Sequence, residues 1–171
     1  MYSNSAYMVR KILLMVGWLA FTMTTCNKEN TETATDPLGE WILTGIFLSD
    51  AKDTPCGWQV NDHREINLKM EKDGKGNITI SGQSVVNSYG GKVESIIYSD
   101  ADKKGKIKIS NLNTTEKAGP KELMQCEERY YQMLHSVEEY TIENGNLLLG
   151  SLKKPNSNPR DGGTYLIYTK K

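Results

Sequence analysis

The chain has few of the residues on which metal and nucleophilic chemistry depend. It carries two histidines, His63 and His135, and three cysteines among 171 residues. Cys56 and Cys126 stand too far from these histidines in sequence for the short spacings of structural zinc sites. No Gly-x-Ser-x-Gly nucleophile elbow and no Walker loop occurs. We therefore predict no metal, no cofactor and no enzyme activity.

An excess of charge of one sign is also missing, since 21 basic residues balance 21 acidic ones. A near-neutral chain offers no basic surface for the phosphates of nucleic acid. Adjacent carboxylates such as Glu127 and Glu128 diverge by about 100° on a helix. We therefore expect them to be solvated rather than paired for acid–base chemistry.

A long apolar run is absent as well. The apolar run at residues 12–21 has ten residues, whereas a transmembrane helix needs about 20. Arg10 and Lys11 precede the run, and small polar residues follow it before Cys26. This order of basic, apolar and small residues is typical of a secretory signal peptide.

Cys26 closes this segment and is the predicted lipidation site. The sequence Met23-Thr24-Thr25-Cys26 resembles the box that ends a bacterial lipoprotein signal. Residues 1–25 are therefore predicted to be a lipoprotein signal peptide that starts at Met1 or at Met8. Lipid on Cys26 would hold the protein on a membrane durably, because two or more chains give stable anchoring. A soluble secreted binding module without lipid is the alternative.

Residues 26–37 contain no large apolar residue and are predicted to be a flexible tether. Glu29, Glu32 and Asp36 resemble a surface-export signal of some Bacteroidetes lipoproteins, or they reflect the composition of a tether. The expected location is the bacterial cell envelope, as an outer-membrane lipoprotein that faces the periplasm or the outside. Residues 38–171 are predicted to form one domain, which is long enough to bury about two thirds of its unfolded surface.

Alternating apolar residues and regularly spaced turns predict a β-domain. Strands are expected near residues 41–48, 66–70, 78–80, 93–98, 107–112, 140–143, 146–149 and 164–169. The clearest local signal is Asn144-Gly145, because both central residues of a type I′ hairpin turn need positive φ.

One segment breaks the alternation. After Pro120, apolar residues recur at spacings of 3, 4, 4 and 3, at Leu123, Cys126, Tyr130, Leu134 and Val137. This periodicity predicts one amphipathic helix near residues 120–135. The predicted fold class is mainly β (α+β): a small curled sheet or β-barrel-like domain of about eight strands, with the helix covering one end.

Four short blocks follow one another along this domain. They are Gly39-x-Trp41-x-Leu43, Asn87-x-Tyr89-x-Gly91, Glu127-x-x-Tyr130-x-x-x-Leu134, and Tyr140-x-Ile142 with Leu147-x-Leu149. In this order they resemble the META domain, also called the HslJ-like family, whose folds are small, β-barrel-like and carry a single helix. Its members are often envelope lipoproteins linked to stress or drug tolerance. The resemblance implies a lipid-anchored, non-enzymatic envelope protein that binds an unknown protein or envelope ligand; an enzyme that uses His63 or His135 is the less favoured alternative.

The cysteines depart from the family pattern. Many members place a cysteine before the Asn-x-Tyr block and another before the helix, where this chain has Val86 and Ala118-Gly119. With Cys26 lipidated, Cys56 and Cys126 remain, and an even number in an oxidising compartment favours pairing. The alternative is that Cys126 is simply a small core residue.

The segment from Asn87 to Gly91 is the predicted contact site. In the functional interpretation, Asn87 and Tyr89 form an exposed recognition edge for a peptide, glycan or envelope component. In the structural interpretation, Asn87 caps a turn through its side chain, Gly90 and Gly91 supply positive φ, and Tyr89 packs at the rim of the sheet.

Overall fold

A computed structural model describes most of the predicted domain and the last residues of the predicted tether. The described residues are 36–54, 56, 65–99, 104–152, 158 and 160–171. They belong to one compact unit, Thr33–Lys171. The predicted signal peptide, Cys26 and His63 lie outside the described residues, so what was expected of them stays a prediction.

The described residues form nine strands and one helix. The strands are β1 (Gly39–Leu48), β2 (Ala51–Asp53), β3 (Asn67–Lys72), β4 (Ile78–Gln83), β5 (Ser88–Ser99), β6 (Lys104–Thr114), β7 (Glu139–Glu143), β8 (Asn146–Leu152) and β9 (Gly163–Lys170). The helix, α1, spans Lys121–His135 between β6 and β7. A mainly β domain with one helix is therefore confirmed. The additional strand, β2, has three residues, which is too short to show an alternation.

All nine strands pair antiparallel in one sheet that closes on itself. Successive strands pair from β3 to β9, and β9 returns to pair with β1 along residues 41–48. At its other edge, β1 pairs with β3 through residues 39–42 and with β2 through residues 46–48. The predicted curled sheet is thus confirmed as a closed ring of strand pairs.

The hairpin of β7 and β8 shows how local signals build this sheet. Its turn residues Asn144 and Gly145 have φ values of 52° and 77°, as the type I′ turn requires. Because the turn sets the register, Leu147 and Leu149 both point inward and are fully buried.

Helix α1 packs against β6, β8 and β9. It buries Leu123, Cys126, Tyr130 and Leu134, which are apolar positions of the predicted stripe. Val137 is buried two residues beyond the end of the helix. Within the part of the chain that the structure describes, no helix is long and apolar enough to cross a bilayer.

Candidate functional site

The Glu127 network joins α1 to the turn between β4 and β5. The Glu127 side chain is buried, with Oε2 accepting hydrogen bonds from the backbone N–H of Asn87 at 2.7 Å, that of Val86 at 3.2 Å and the Ser84 hydroxyl. Its Oε1 accepts one from Asn87 Nδ2 at 2.7 Å. Neutral donors therefore surround a buried carboxylate, as the burial of a charge requires.

Asn87 carries this network on to the segment before α1. Its Oδ1 accepts hydrogen bonds from Thr115 Oγ1 at 2.8 Å and from the Lys117 N–H at 2.7 Å. Its backbone carbonyl accepts one from the Ser84 N–H at 2.8 Å and closes the β4–β5 turn. One residue thus holds together the turn, the helix and the segment before the helix.

Two opposing effects act on the pKa of Glu127. Burial raises the pKa, and the hydrogen bonds from Ser84, Asn87 and Val86 lower it. The hydrogen bonds prevail, so the pKa lies below the ordinary value. Because these donors stabilise the charged form, Glu127 is a carboxylate at neutral pH and acts as an acceptor for the turn.

The tyrosine triad, Tyr89, Tyr130 and Tyr168, lies in the interior beneath α1. The Tyr89 hydroxyl lies 2.8 Å from the Asn67 carbonyl oxygen and 2.6 Å from the Tyr130 hydroxyl, which lies 3.1 Å from the Tyr168 hydroxyl. A carbonyl only accepts and each phenol has one proton. Tyr89 therefore donates to Asn67, Tyr130 to Tyr89 and Tyr168 to Tyr130. Burial is the largest cause that raises the pKa of all three tyrosines, which are neutral.

A glycine makes room for the triad. Gly82 on β4 stands opposite Tyr89 on β5. A Cβ atom at Gly82 would lie 2.7 Å from the Tyr89 hydroxyl oxygen and would also collide with the Asn67 carbonyl. The missing side chain at Gly82 is what lets the hydroxyl reach the carbonyl.

The disulfide clamp attaches the other flank of α1 to β2 and the chain just after it. Cys126 and Cys56 form a disulfide with their Cα atoms 4.8 Å apart, across a sequence separation of 70. Nearly one turn along α1, Arg129 Nη2 lies 2.9 Å from Asp53 Oδ2. Because helix positions i and i+3 are neighbours, both contacts leave the same flank of α1.

An open groove of about 730 Å³ runs between α1 and the segment before it. Asn87 and Glu127 line its floor, and Met124, Tyr131 and His135 line its helix side. The floor residues use their polar atoms within the protein. A ligand in the groove would meet the helix residues instead, together with the lining side chains of Lys117, Lys121, Gln125, Glu128 and Gln132.

Asn87 and Tyr89 do not form an exposed recognition edge. They are only 2% and 5% exposed, because Asn87 is bonded into the Glu127 network and Tyr89 into the tyrosine triad. The structural alternative also needs correction, since Gly90 and Gly91 lie inside β5 and neither has a positive φ. The Asn87 side chain bridges to α1 and to the segment before it.

The other predicted site residues lie outside the Glu127 network and the tyrosine triad. Cys56 and Cys126 meet in the disulfide clamp. His135 is exposed at the end of α1 and lines the groove. Among the residues that the structure describes, no cluster of three or more His, Cys, Asp or Glu is placed to hold a metal ion.

The solvated position expected for Glu127 is wrong. Glu128 is exposed, but Glu127 is buried. The missed signal is a spacing, because Leu123, Glu127, Tyr130 and Leu134 stand at i, i+4, i+7 and i+11 along one helix face. A carboxylate within an apolar stripe requires hydrogen-bond donors inside the protein. The sequence therefore indicated a buried network at Glu127, although nothing in it identified the donor residues.

Two solved structures are similar to this chain. An NMR structure of a protein from Burkholderia xenovorans has a TM-score of 0.55 and 20% identity, and covers 81% of this chain and 86% of that one. A crystal structure of a DUF4847 family protein from Bacteroides vulgatus has a TM-score of 0.43 and 14% identity, and covers 78% and 92%. No curated protein matches the chain. The META domain model matches residues 36–160, most of the chain, which therefore belongs to the META domain family.

Proposed function

We propose that the chain is a lipid-anchored protein of the bacterial cell envelope whose META domain binds a partner and catalyses no reaction. The observation that carries the proposal is the disulfide between Cys56 and Cys126. Disulfides persist in the periplasm and at the cell surface, whereas the cytosol keeps most thiols reduced. A disulfide that ties the helix to the sheet therefore favours an exported protein.

Pairing of two cysteines leaves a separate role for the third. Cys26 is the remaining cysteine of three, and it follows the basic, apolar and small residues of a signal peptide. If Cys26 carries lipid, each cysteine of the chain has an assigned role. The tether that follows would let the domain stand off the membrane by about 20 Å, if it behaves as a flexible coil.

Binding rather than catalysis is supported by the places where reactive side chains lie. The Ser84 hydroxyl and the tyrosine triad are buried and bonded within the protein. The groove beside α1 offers a different surface, with apolar, amide and charged side chains together on an open wall. Such a mixture suits a partner that is held by contacts.

Metabolic labelling with an alkyne analogue of palmitate tests the anchor. We expect the wild-type chain to carry the label and to occur in the membrane fraction. Cys26→Ala should lose the label and should no longer occur in the membrane fraction. Cys56→Ala is the matched control, because it removes a cysteine and keeps the lipidation site. Unchanged labelling of Cys26→Ala would refute the anchor, and an unlabelled wild-type chain in the medium would favour the soluble binding module.

A further inference from the structure

Strand β5 extends beyond its neighbour β4. The last pair between the two strands is Ile78 with Val93, whereas β5 continues to pair with β6 as far as Ser99. Along residues 94–98, here called the β5 edge, no strand among the described residues pairs on the β4 side. Every second residue of such an edge directs its backbone N–H and C=O outward, where they can pair with another chain.

The β5 edge has an apolar centre and a basic flank. Among the described residues, Ile97 is the large hydrophobic side chain that lies exposed to solvent, with 63% of its surface accessible. It pairs across the ladder with Lys106, and Lys104 and Lys108 lie on the same face of β6 by the two-residue period. Lys108 Nζ lies 2.7 Å from a carboxylate oxygen of Glu94. Lys106 also stands opposite Glu139 of β7. The three lysines therefore outnumber the two carboxylates beside them, and this face keeps a net positive charge next to the exposed isoleucine.

An open concavity adjoins the start of the β5 edge. It has a volume of about 720 Å³ and is lined by Lys92, Glu94 and Ser110 and by the β3–β4 turn. A register shift between Val93 and Ser95 marks a bulge at this point. Natural proteins often blunt an open edge with lysine, proline or a bulge. Residues 94–98 contain neither lysine nor proline, and the bulge is confined to the start of the edge.

We propose that the β5 edge receives an extended segment of another protein as an added strand. An apolar side chain of that segment covers Ile97, and its carboxylates pair with Lys106 and the neighbouring lysines. Backbone hydrogen bonds supply the affinity and alternate side chains supply the selectivity, as in other cases of strand addition. The proposal rests on the binding role proposed above and adds to it a surface apart from the groove beside α1, with a stated partner chemistry.

Charge favours a foreign acidic strand over a second copy of this chain. A second copy paired through its own β5 edge would bring one carboxylate, Glu94, which already pairs with Lys108 of its own chain. A strand that carries aspartate or glutamate two residues before and two residues after its apolar residue places opposite charge on the face of Ile97, within reach of the long lysine side chains.

Fluorescence anisotropy with the full chain in detergent tests this proposal. The probe is a fluorescein-labelled peptide of about ten residues that repeats Glu-Thr-Val-Thr, which places glutamate and valine on the same face of the strand, and the comparison peptide carries lysine in place of glutamate. We expect saturable binding of the glutamate peptide and about tenfold weaker binding of the lysine peptide, because like charges reject a wrong partner.

Three variants locate the binding. Ile97→Glu and Lys106→Glu should each weaken binding of the glutamate peptide by about tenfold. Lys106→Glu should also strengthen binding of the lysine peptide. Ile42→Glu is the matched control, because Ile42 is a half-buried residue of β1 with strand partners on both sides. It should leave binding of both peptides unchanged. Circular dichroism checks that each variant is folded.

Three results would overturn the proposal. The first is equal binding of the two peptides, and the second is binding that Ile97→Glu leaves unchanged. The third is a wild-type dimer in sedimentation velocity that Ile97→Glu dissociates, because the edge would then serve a second copy. Palmitate labelling at Cys26 is measured separately, so failure of strand addition and failure of the anchor are distinguishable.

Discussion

The two flanks of α1 are held on the sheet by different chemistry. On one flank, Glu127 accepts hydrogen bonds from neutral donors in the protein interior. On the other flank, Cys126 and Arg129 form a disulfide and an ion pair with Cys56 and Asp53. The first flank depends on the protonation state of one carboxyl group, and the second depends on the oxidation of two thiols.

The two flanks therefore respond differently to the cellular compartment in which the protein resides. The Glu127 network forms wherever its carboxylate is ionised. The disulfide clamp is complete only where thiols are oxidised. The ion pair between Arg129 and Asp53 does not replace the disulfide, because pairs with solvent access contribute up to about 1 kcal/mol. We therefore expect a reduced chain to keep α1 docked through the Glu127 network and the core, with lower stability.

Loss of the disulfide should have the largest effect. Closing a loop with a sequence separation of 70 stabilises by about 4 kcal/mol on the chain-entropy model, within a range of about 0 to 5. Urea titration of Cys56→Ser should show this loss, and the double variant Cys56→Ser/Cys126→Ser should lose little more. The prediction would be contradicted if reduction with a phosphine left the urea midpoint of the wild type unchanged.

Removal of the Glu127 carboxylate should come next. Glu127→Ala removes the acceptor of the Val86 N–H and leaves the donors of Ser84 and Asn87 with their second acceptors only. We expect a loss of about 3 kcal/mol in the free energy of unfolding. The matched control is Glu128→Ala, an exposed neighbour on the same helix, with a change within about 0.5 kcal/mol. Equal losses in the two variants would show that the buried network is not what distinguishes this flank.

Acid should weaken the Glu127 flank and leave the disulfide intact. Burial opposes the shift, but the hydrogen bonds lower the pKa of Glu127 below its ordinary value of 4.5. The contribution of a group with a lowered folded pKa is present above the unfolded pKa and is lost as pH falls through the folded pKa.

Urea titrations below about pH 4.5 should therefore show a steeper loss of stability in the wild type than in Glu127→Gln, which has no carboxyl group to protonate. We expect a smaller effect than that of Glu127→Ala, because a protonated carboxyl keeps its shape and one good acceptor oxygen. Parallel pH profiles for the two proteins would contradict an ionised Glu127 in the folded state.

Tyr130→Phe should destabilise the domain by about 1 to 2 kcal/mol. The variant removes the central hydroxyl of the triad, so Tyr168 loses its acceptor and Tyr89 loses one donor. Tyr165→Phe is the control, because the Tyr165 ring is half-buried and stacks on Phe47 away from the triad. Thermal unfolding measures both, and a Tyr130→Phe protein as stable as the wild type would mean that the triad contributes no net stability.

Arg129→Ala should have the smallest effect, about 0.5 kcal/mol, because its ion pair with Asp53 is partly exposed. A double-mutant cycle with Asp53→Ala isolates the interaction between the two side chains. We expect the coupling energy to fall further at high salt. A coupling energy larger than the loss of stability in Glu127→Ala would mean that the ion pair contributes more to docking α1 than the Glu127 network does.

Much of the fold could be predicted because its signals are local. Asn144 and Gly145 determine a hairpin through their own backbone preferences, and the stripe that includes Leu123 and Leu134 determines a helix through its spacing. The closure of β9 on β1 and the added strand β2 have no such signal. They depend on segments far apart in sequence, such as Thr164 opposite Leu48.

The candidate site was less predictable for the same reason. Ser84 and Glu127 are 43 residues apart, and nothing near either residue names the other. The two interpretations of Cys126 were not exclusive, since it is both a buried residue of the helix and bonded to Cys56. Asn87 and Tyr89 stood out as polar and aromatic residues beside glycines, but that pattern does not distinguish an exposed edge from a bonded interior.

By itself the sequence determined the strand period, helix α1 and the pattern that predicts lipid on Cys26, because each is carried by residues within a few positions of one another. Only the tertiary structure decided that Asn87, Tyr89 and Glu127 lie inside, that Cys56 meets Cys126, and that β5 extends beyond β4. The physical reason is that burial and pairing depend on which distant segments fold together, and a side chain acts as an acceptor, a core residue or a contact surface according to that environment.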